Sequence, residues 1–181
     1  WRKIPIPSQQ KNLNDEEEPW LIIDAREINR LSKLEPAILP KIKSSGGETI
    51  YSVEQVEEEA LNKRGMARYV VSSETADQLQ SGRSWQRLLA SIDKIISVQE
   101  ANAEDRKKKK RQNYIVKQAV NIEGLAMTNL VISEKDARDL RTEDASSEIL
   151  KKCRVIIVTS TPVGGIQGAL EKPIASSLAA L

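Results

Sequence analysis

Apolar residues fall along this chain in short blocks set between longer stretches of helical periodicity. Leu21-Ile22-Ile23, Thr49-Ile50-Tyr51, Leu130-Val131-Ile132 and Val155-Ile156-Ile157-Val158 lack strict alternation. That is the pattern of strands covered on both faces. Met66–Val71 reads as a further strand. A helix is expected after Asp24, with Ile28, Leu31 and Leu34 at helical spacing until Pro36 interrupts it. Ala37–Ile42 reads as a second short helix, closed by the turn signal Ser44-Ser45-Gly46-Gly47. Ser52 and Gln55 have the spacing of a capping box and open a helix over Val53–Arg64, which Gly65 stops. Ser84 opens a longer helical pattern with Leu88, Leu89, Ile92, Ile95, Ile96 and Val98 as its stripe. Residues 99–113 are almost wholly polar, and the return of apolar positions at Tyr114, Ile115, Val116, Ala119 and Val120 predicts one more helix. Helices are also expected at Glu134–Leu140 and Ser147–Cys153. Strand and helix alternate, so the predicted class is α/β: a three-layer sandwich with a mainly parallel central sheet.

The same pattern divides the chain. Residues 1–19, rich in Pro and polar residues and without periodicity, read as an extended or disordered arm. Residues 20–168 form the α/β domain, with a polar and basic insertion near 99–113. Residues 169–181 form a C-terminal tail or helix.

Composition narrows the chemistry. Hydrophobic residues make up 39% of the 181, enough for a core, but aromatics only 3%, so that core is aliphatic. There is no histidine, which excludes Ser-His-Asp and Cys-His catalysis and histidine metal sites together. A single cysteine, Cys153, excludes an internal disulfide and a cysteine-based zinc site. No run approaches the roughly 18 apolar residues of a membrane span, so no membrane partner is expected, and an intracellular setting, nucleus or cytoplasm, is. The net charge of +2 is too small to imply nucleic acid by itself.

What remains are carboxylates at strand ends, where ligands of α/β sheets bind. Asp24 ends the first strand and Glu59 sits on the helix after the second. Asp136 follows the Leu130–Ile132 strand. Acids gathered there can hold Mg²⁺ or Mn²⁺ through oxygen, and such ions cleave phosphodiesters without histidine. Each acid also has a plainer reading. Asp24 can cap its helix, Glu57, Glu58 and Glu59 can form a solvated face, and Asp136 and Asp139 can pair with Lys135 and Arg138.

The order of these elements resembles a PIN domain, the metal-dependent ribonuclease fold. Leu21-Ile22-Ile23-Asp24 matches the opening strand and its acid, and Val56-Glu57-Glu58-Glu59 the helix with its Val-x-x-Glu pair. Ser133-Glu134-Lys135-Asp136 matches the later Ser/Thr-x-Asp motif, one residue long, which leaves Glu134 or Asp136 as fourth ligand. The resemblance implies catalytic Asp24, Glu59 and Asp136. It implies a metal held by Asp24, Glu59, Asn113 and Asp136, with Asn113 where the family has an acid. It thus implies an RNA-processing domain, either a divalent-metal-dependent endoribonuclease or one whose degenerate site makes it a catalytically inactive scaffold or binding module in a nucleoprotein assembly, with protein partners.

Three further features stand apart. Lys107, Lys108, Lys109, Lys110 and Arg111 form a basic block, which reads as a solvated face, a nuclear-import address or a non-specific RNA-phosphate contact. Gly164–Gly168 follows a buried strand as a phosphate loop would, but it lacks the G-x-G-x-x-G and Walker patterns, and Lys172 lies too far on. Cys153, in an apolar setting, is expected in the core.

Overall fold

In a computed structural model, residues 19–29, 34–72, 82–100 and 113–160 are described. They form seven strands: β1 (Trp20–Asp24), β2 (Ile42–Ser44), β3 (Thr49–Tyr51), β4 (Arg68–Ser72), β5 (Tyr114–Glu123), β6 (Asn129–Ile132) and β7 (Val155–Ser160). The helices are α1 (Arg26–Asn29), α2 (Glu58–Arg64), α3 (Gly82–Glu100) and α4 (Glu134–Ser147), with a 3₁₀ turn at Val53–Gln55. All seven strands join one sheet in the order β3-β2-β6-β5-β1-β7-β4. Neighbours β4/β7, β7/β1, β1/β5 and β2/β6 are parallel, whereas β5/β6 and β2/β3 are antiparallel. The fold is therefore mixed α/β, with a sheet that is mostly but not wholly parallel.

Strand β1 shows how the sheet sorts its side chains. Leu21 and Ile23 enter one hydrophobic cluster, with Leu130, Ile132, Ile157 and the α4 residues Ala137 and Leu140. Trp20 and Ile22 enter the other, with Ile156, Val158 and the α3 residues Leu88, Ile92 and Ile96. Successive strand residues point to opposite faces, so α3 and α4 serve opposite faces of the sheet. The predicted stripe of α3 is borne out by Leu88, Ile92 and Ile96, all buried, while Ile95 lies at its margin.

Four local expectations are corrected. Ala37–Ile42 is not a helix: Pro36 precedes it and Pro40 interrupts it, and Ile42–Ser44 instead pairs in parallel with Leu130–Ile132. The Val53–Arg64 helix is broken into the 3₁₀ turn and α2, because Val56 is extended at φ −99° and ψ 155°. Ser147–Cys153 is not a helix of its own: Ser147 ends α4, left-handed Glu148 (φ 52°) stops it, and turns follow to Cys153. The largest change concerns the segment starting at Tyr114, which is the ten-residue strand β5. Its residues carry both a helical and an alternating pattern, and pairing to β1 on one side and β6 on the other selects the strand. Of the helix expected after Asp24, Arg26–Asn29 is helical and Leu31 lies outside the described residues; Leu34 is buried in the core but not helical. Among the described residues no helix is long and apolar enough to cross a membrane. The proposed arm, the Lys107–Arg111 block, Gly164–Gly168 and the tail lie outside the described residues.

Candidate functional site

Asp24 ends β1, and its carboxylate is already engaged. Oδ1 accepts from the Arg26 backbone N–H at 3.2 Å and from Nε at 2.9 Å, and Oδ2 accepts from Nη2 at 3.0 Å. The guanidinium thus grips both oxygens and, being planar, also lies 4.8 Å from the centre of the Trp85 ring on α3. Arg26 is 1% exposed and Asp24 13%, so the pair sits largely out of water. The alternation of β1 puts Asp24 on the α3 face.

The other candidates lie elsewhere. Asp136 is on α4, on the opposite face of the sheet, where it closes a helix cap: Ser133 Oγ accepts from the Asp136 N–H at 3.0 Å and donates to its Oδ2 at 2.8 Å. Glu134 Oε1 accepts from Gly46 N–H at 2.5 Å. Hydrogen bonds from the Ser44 hydroxyl and from Gly46 hold the Glu134 carboxyl below its ordinary range. Glu59 is exposed on α2 beside the turn that leads into β7. There it lines a shallow 240 Å³ groove with Glu57, Lys63, Arg64, Lys152 and Arg154. Asn113 precedes β5, and its carbonyl accepts from Trp20 N–H at 2.9 Å, so it lies at the start of β1 while Asp24 lies at the end. Four register steps separate those levels, roughly 13 Å at about 3.3 Å per residue.

The four predicted ligands are thus spread over two faces and both ends of the strands. Among the described residues no group of three or more acidic, cysteine or histidine side chains is placed to hold a metal. The end of the strands near Asp24 is instead filled by stitching within the chain. Asn29 Nδ2 donates to Ser160 O at 2.6 Å, Asn29 Oδ1 accepts from Leu34 N–H at 2.7 Å, and Ser160 Oγ donates to Arg26 O at 3.0 Å.

Two residues carry local chemistry that the pattern of the sequence passed over. Arg26 was hidden by its exposed-looking place beside a helix start; its signal is the i, i+2 spacing to Asp24. Lys117 is 8% exposed within β5, with Nζ 3.6 Å from Glu143 of α4, and its signal is a lone cation inside an apolar run. Cys153 is a core residue as expected: it is 2% exposed, and burial pushes its thiol up against the Tyr51 hydroxyl. An unprotonated, reactive thiolate is thereby disfavoured.

A family model matches residues 20–161: the second domain of Treponema pallidum Tp0624. The chain belongs to that family. The match spans nearly all of the described fold and overturns the PIN resemblance. That resemblance rested on a helix at Asn113–Val116, where this fold has β5, and on short acidic motifs that α/β proteins of other families also contain. No curated protein matches the chain.

Proposed function

We propose that this chain is a non-catalytic α/β module that docks within a larger assembly. One observation carries the reading: the four candidate ligands do not converge, and the Asp24 and Asp136 carboxylates are occupied by Arg26 and by the cap of α4. An acid held in a bidentate grip by a buried arginine has little left to offer a cation. Glu59, exposed on α2 and apart from Asp24 and Asp136, joins no group of three acids among the described residues placed to hold Mg²⁺ or Mn²⁺. The family is described as one domain among others of its protein, which supports a modular role. We read the sheet as the middle of three layers, with α3 on one face and α4 on the other.

RNA contact through Lys107–Arg111, and with it a nucleoprotein partner in nucleus or cytoplasm, is the second arm of the same proposal. It is favoured only by the density of charge in that block. Two assays separate the readings. Thermal melting with and without Mn²⁺ should show no ligand-linked rise, and a labelled RNA should stay intact. Mn²⁺-dependent cleavage that Glu59→Gln abolishes would restore the ribonuclease reading. Fluorescence anisotropy with RNA over a salt series tests the second arm: binding that falls steeply with salt and is lost when Lys107–Arg111 are changed to Gln supports it.

A further inference from the structure

Two neighbouring loops at one end of the sheet are apolar where solvent-facing turns are ordinarily polar. The loop leading into β2 reads Glu35-Pro36-Ala37-Ile38-Leu39-Pro40-Lys41, and the β5–β6 turn contains Gly124-Leu125-Ala126-Met127. Ile38 is 91% exposed, Leu39 50%, and Leu125 fully so. Side chains that open project from the surface. β5 continues over Ala119–Glu123 past the level of Asp24, roughly 16 Å of strand at about 3.3 Å per residue, and carries the turn beyond the end of β1.

Both loops are held in place. Glu35 N–H donates to Met127 O at 3.1 Å, which ties one loop to the other. Ala37 N–H donates to the Tyr69 hydroxyl at 3.2 Å, and Leu130 N–H to Lys41 O at 2.9 Å. Pro36 and Pro40 fix φ on either side of Ile38 and Leu39. The ordering of these side chains therefore adds little to the cost of engaging a partner.

We propose that this end is a bilayer-contacting tip, with Ile38, Leu39 and Leu125 entering the interfacial region of a lipid membrane. Area selects the occupant. A stable protein interface buries about 800 Å² on each partner, and three aliphatic side chains on two narrow turns supply a fraction of that. A bilayer surface conforms to a convex tip and needs no complementary pocket; insertion of about 5–10 Å suffices. No spanning helix is involved. Charge sets the lipid. Glu35 and Lys41 flank the loop with opposite signs, and Glu123 pairs with Lys43 at 3.2 Å. The described residues of the tip carry no surplus of positive charge, so the contact is apolar and zwitterionic lipid is sufficient.

The buried Cys153 lets a single added cysteine be labelled selectively. An environment-sensitive fluorophore is placed on Ala126→Cys at the tip and, separately, on exposed Ala145→Cys of α4. Each protein is then titrated with phosphatidylcholine vesicles. The tip label should brighten and shift to the blue while the α4 label stays unchanged. Leu125→Asp or Ile38→Asp should each weaken the response about tenfold, the scale of one aliphatic side chain returned to water, with the melting temperature retained. No response at the tip, or an equal one on α4, overturns the proposal. So does a response confined to anionic vesicles and abolished by salt, which would assign the contact to the basic block. A response that appears without vesicles as protein concentration rises identifies a second copy as the occupant and equally overturns it.

Discussion

Strands β7 and β5 flank β1 in one sheet, yet they are built on different patterns. All six residues of β7 are buried, four of them the aliphatic run Val155–Val158. β5 alternates: Lys117, Ala119 and Ile122 are buried, while Val116, Gln118, Val120 and Asn121 are exposed. The difference follows from what covers each strand. Around β4, β7 and β1, all parallel, α3 covers one face and the cluster shared with α4 fills the other. β5 pairs antiparallel with β6 and, among the described residues, leaves Val116, Gln118 and Val120 exposed on one face, as antiparallel strands commonly do, whereas its neighbour β6 is buried over Leu130–Ile132. Exposed apolar residues occur in both halves of the sheet: Val116, Val120 and Leu125 on β5 and its turn, with Ile38 and Leu39 before β2, and Val71 on the edge strand β4.

The contrast can be broken by substitution. Ile157→Ala in β7 removes a side chain with no solvent exposure and should cost about 4 kcal/mol, read by urea denaturation with an unchanged m-value. Asp24→Ala leaves the buried Arg26 without its carboxylate and should cost about 3 kcal/mol. A loss under about 0.5 kcal/mol would show that water reaches the guanidinium. Ser133→Ala removes the cap of α4 and should cost about 1 kcal/mol in the same assay. Val116→Thr on the open face should change stability by less than about 0.5 kcal/mol; a loss near that of Ile157→Ala would mean that the face is covered after all. The smallest effect concerns acid. The Glu134 carboxyl is held below its ordinary value of about 4.5. Its contribution is present above that value and is lost as pH falls through the lower, folded one. Glu134→Gln should flatten this part of the acid limb of a stability–pH profile.

Much of this architecture was legible as pattern. Leu21–Ile23 and Val155–Val158 read as doubly covered strands because unbroken aliphatic runs of that length have few other stable settings. The α3 stripe read correctly because Leu88, Ile92 and Ile96 keep a helical period over several turns. Tyr114–Glu123 misled because Ile115, Val116, Ala119, Val120 and Ile122 satisfy both periods, and only the neighbours decide between them. The acidic site misled for a related reason. Sequence places Asp24, Glu59 and Asp136 at element ends, but not on which face or at which end of the sheet those elements lie.

By itself, then, the sequence determined the aliphatic core, the alternation of strands and helices, the buried Cys153 and the exclusion of histidine chemistry, all of which depend on residue type and local period. The tertiary structure alone decided that β5 is a strand, that the sheet is mixed, that Arg26 closes on Asp24, and that the candidate ligands stand apart. Those outcomes depend on which elements become neighbours, and pairing between segments as distant as β1 and β5 leaves no local signature in either one.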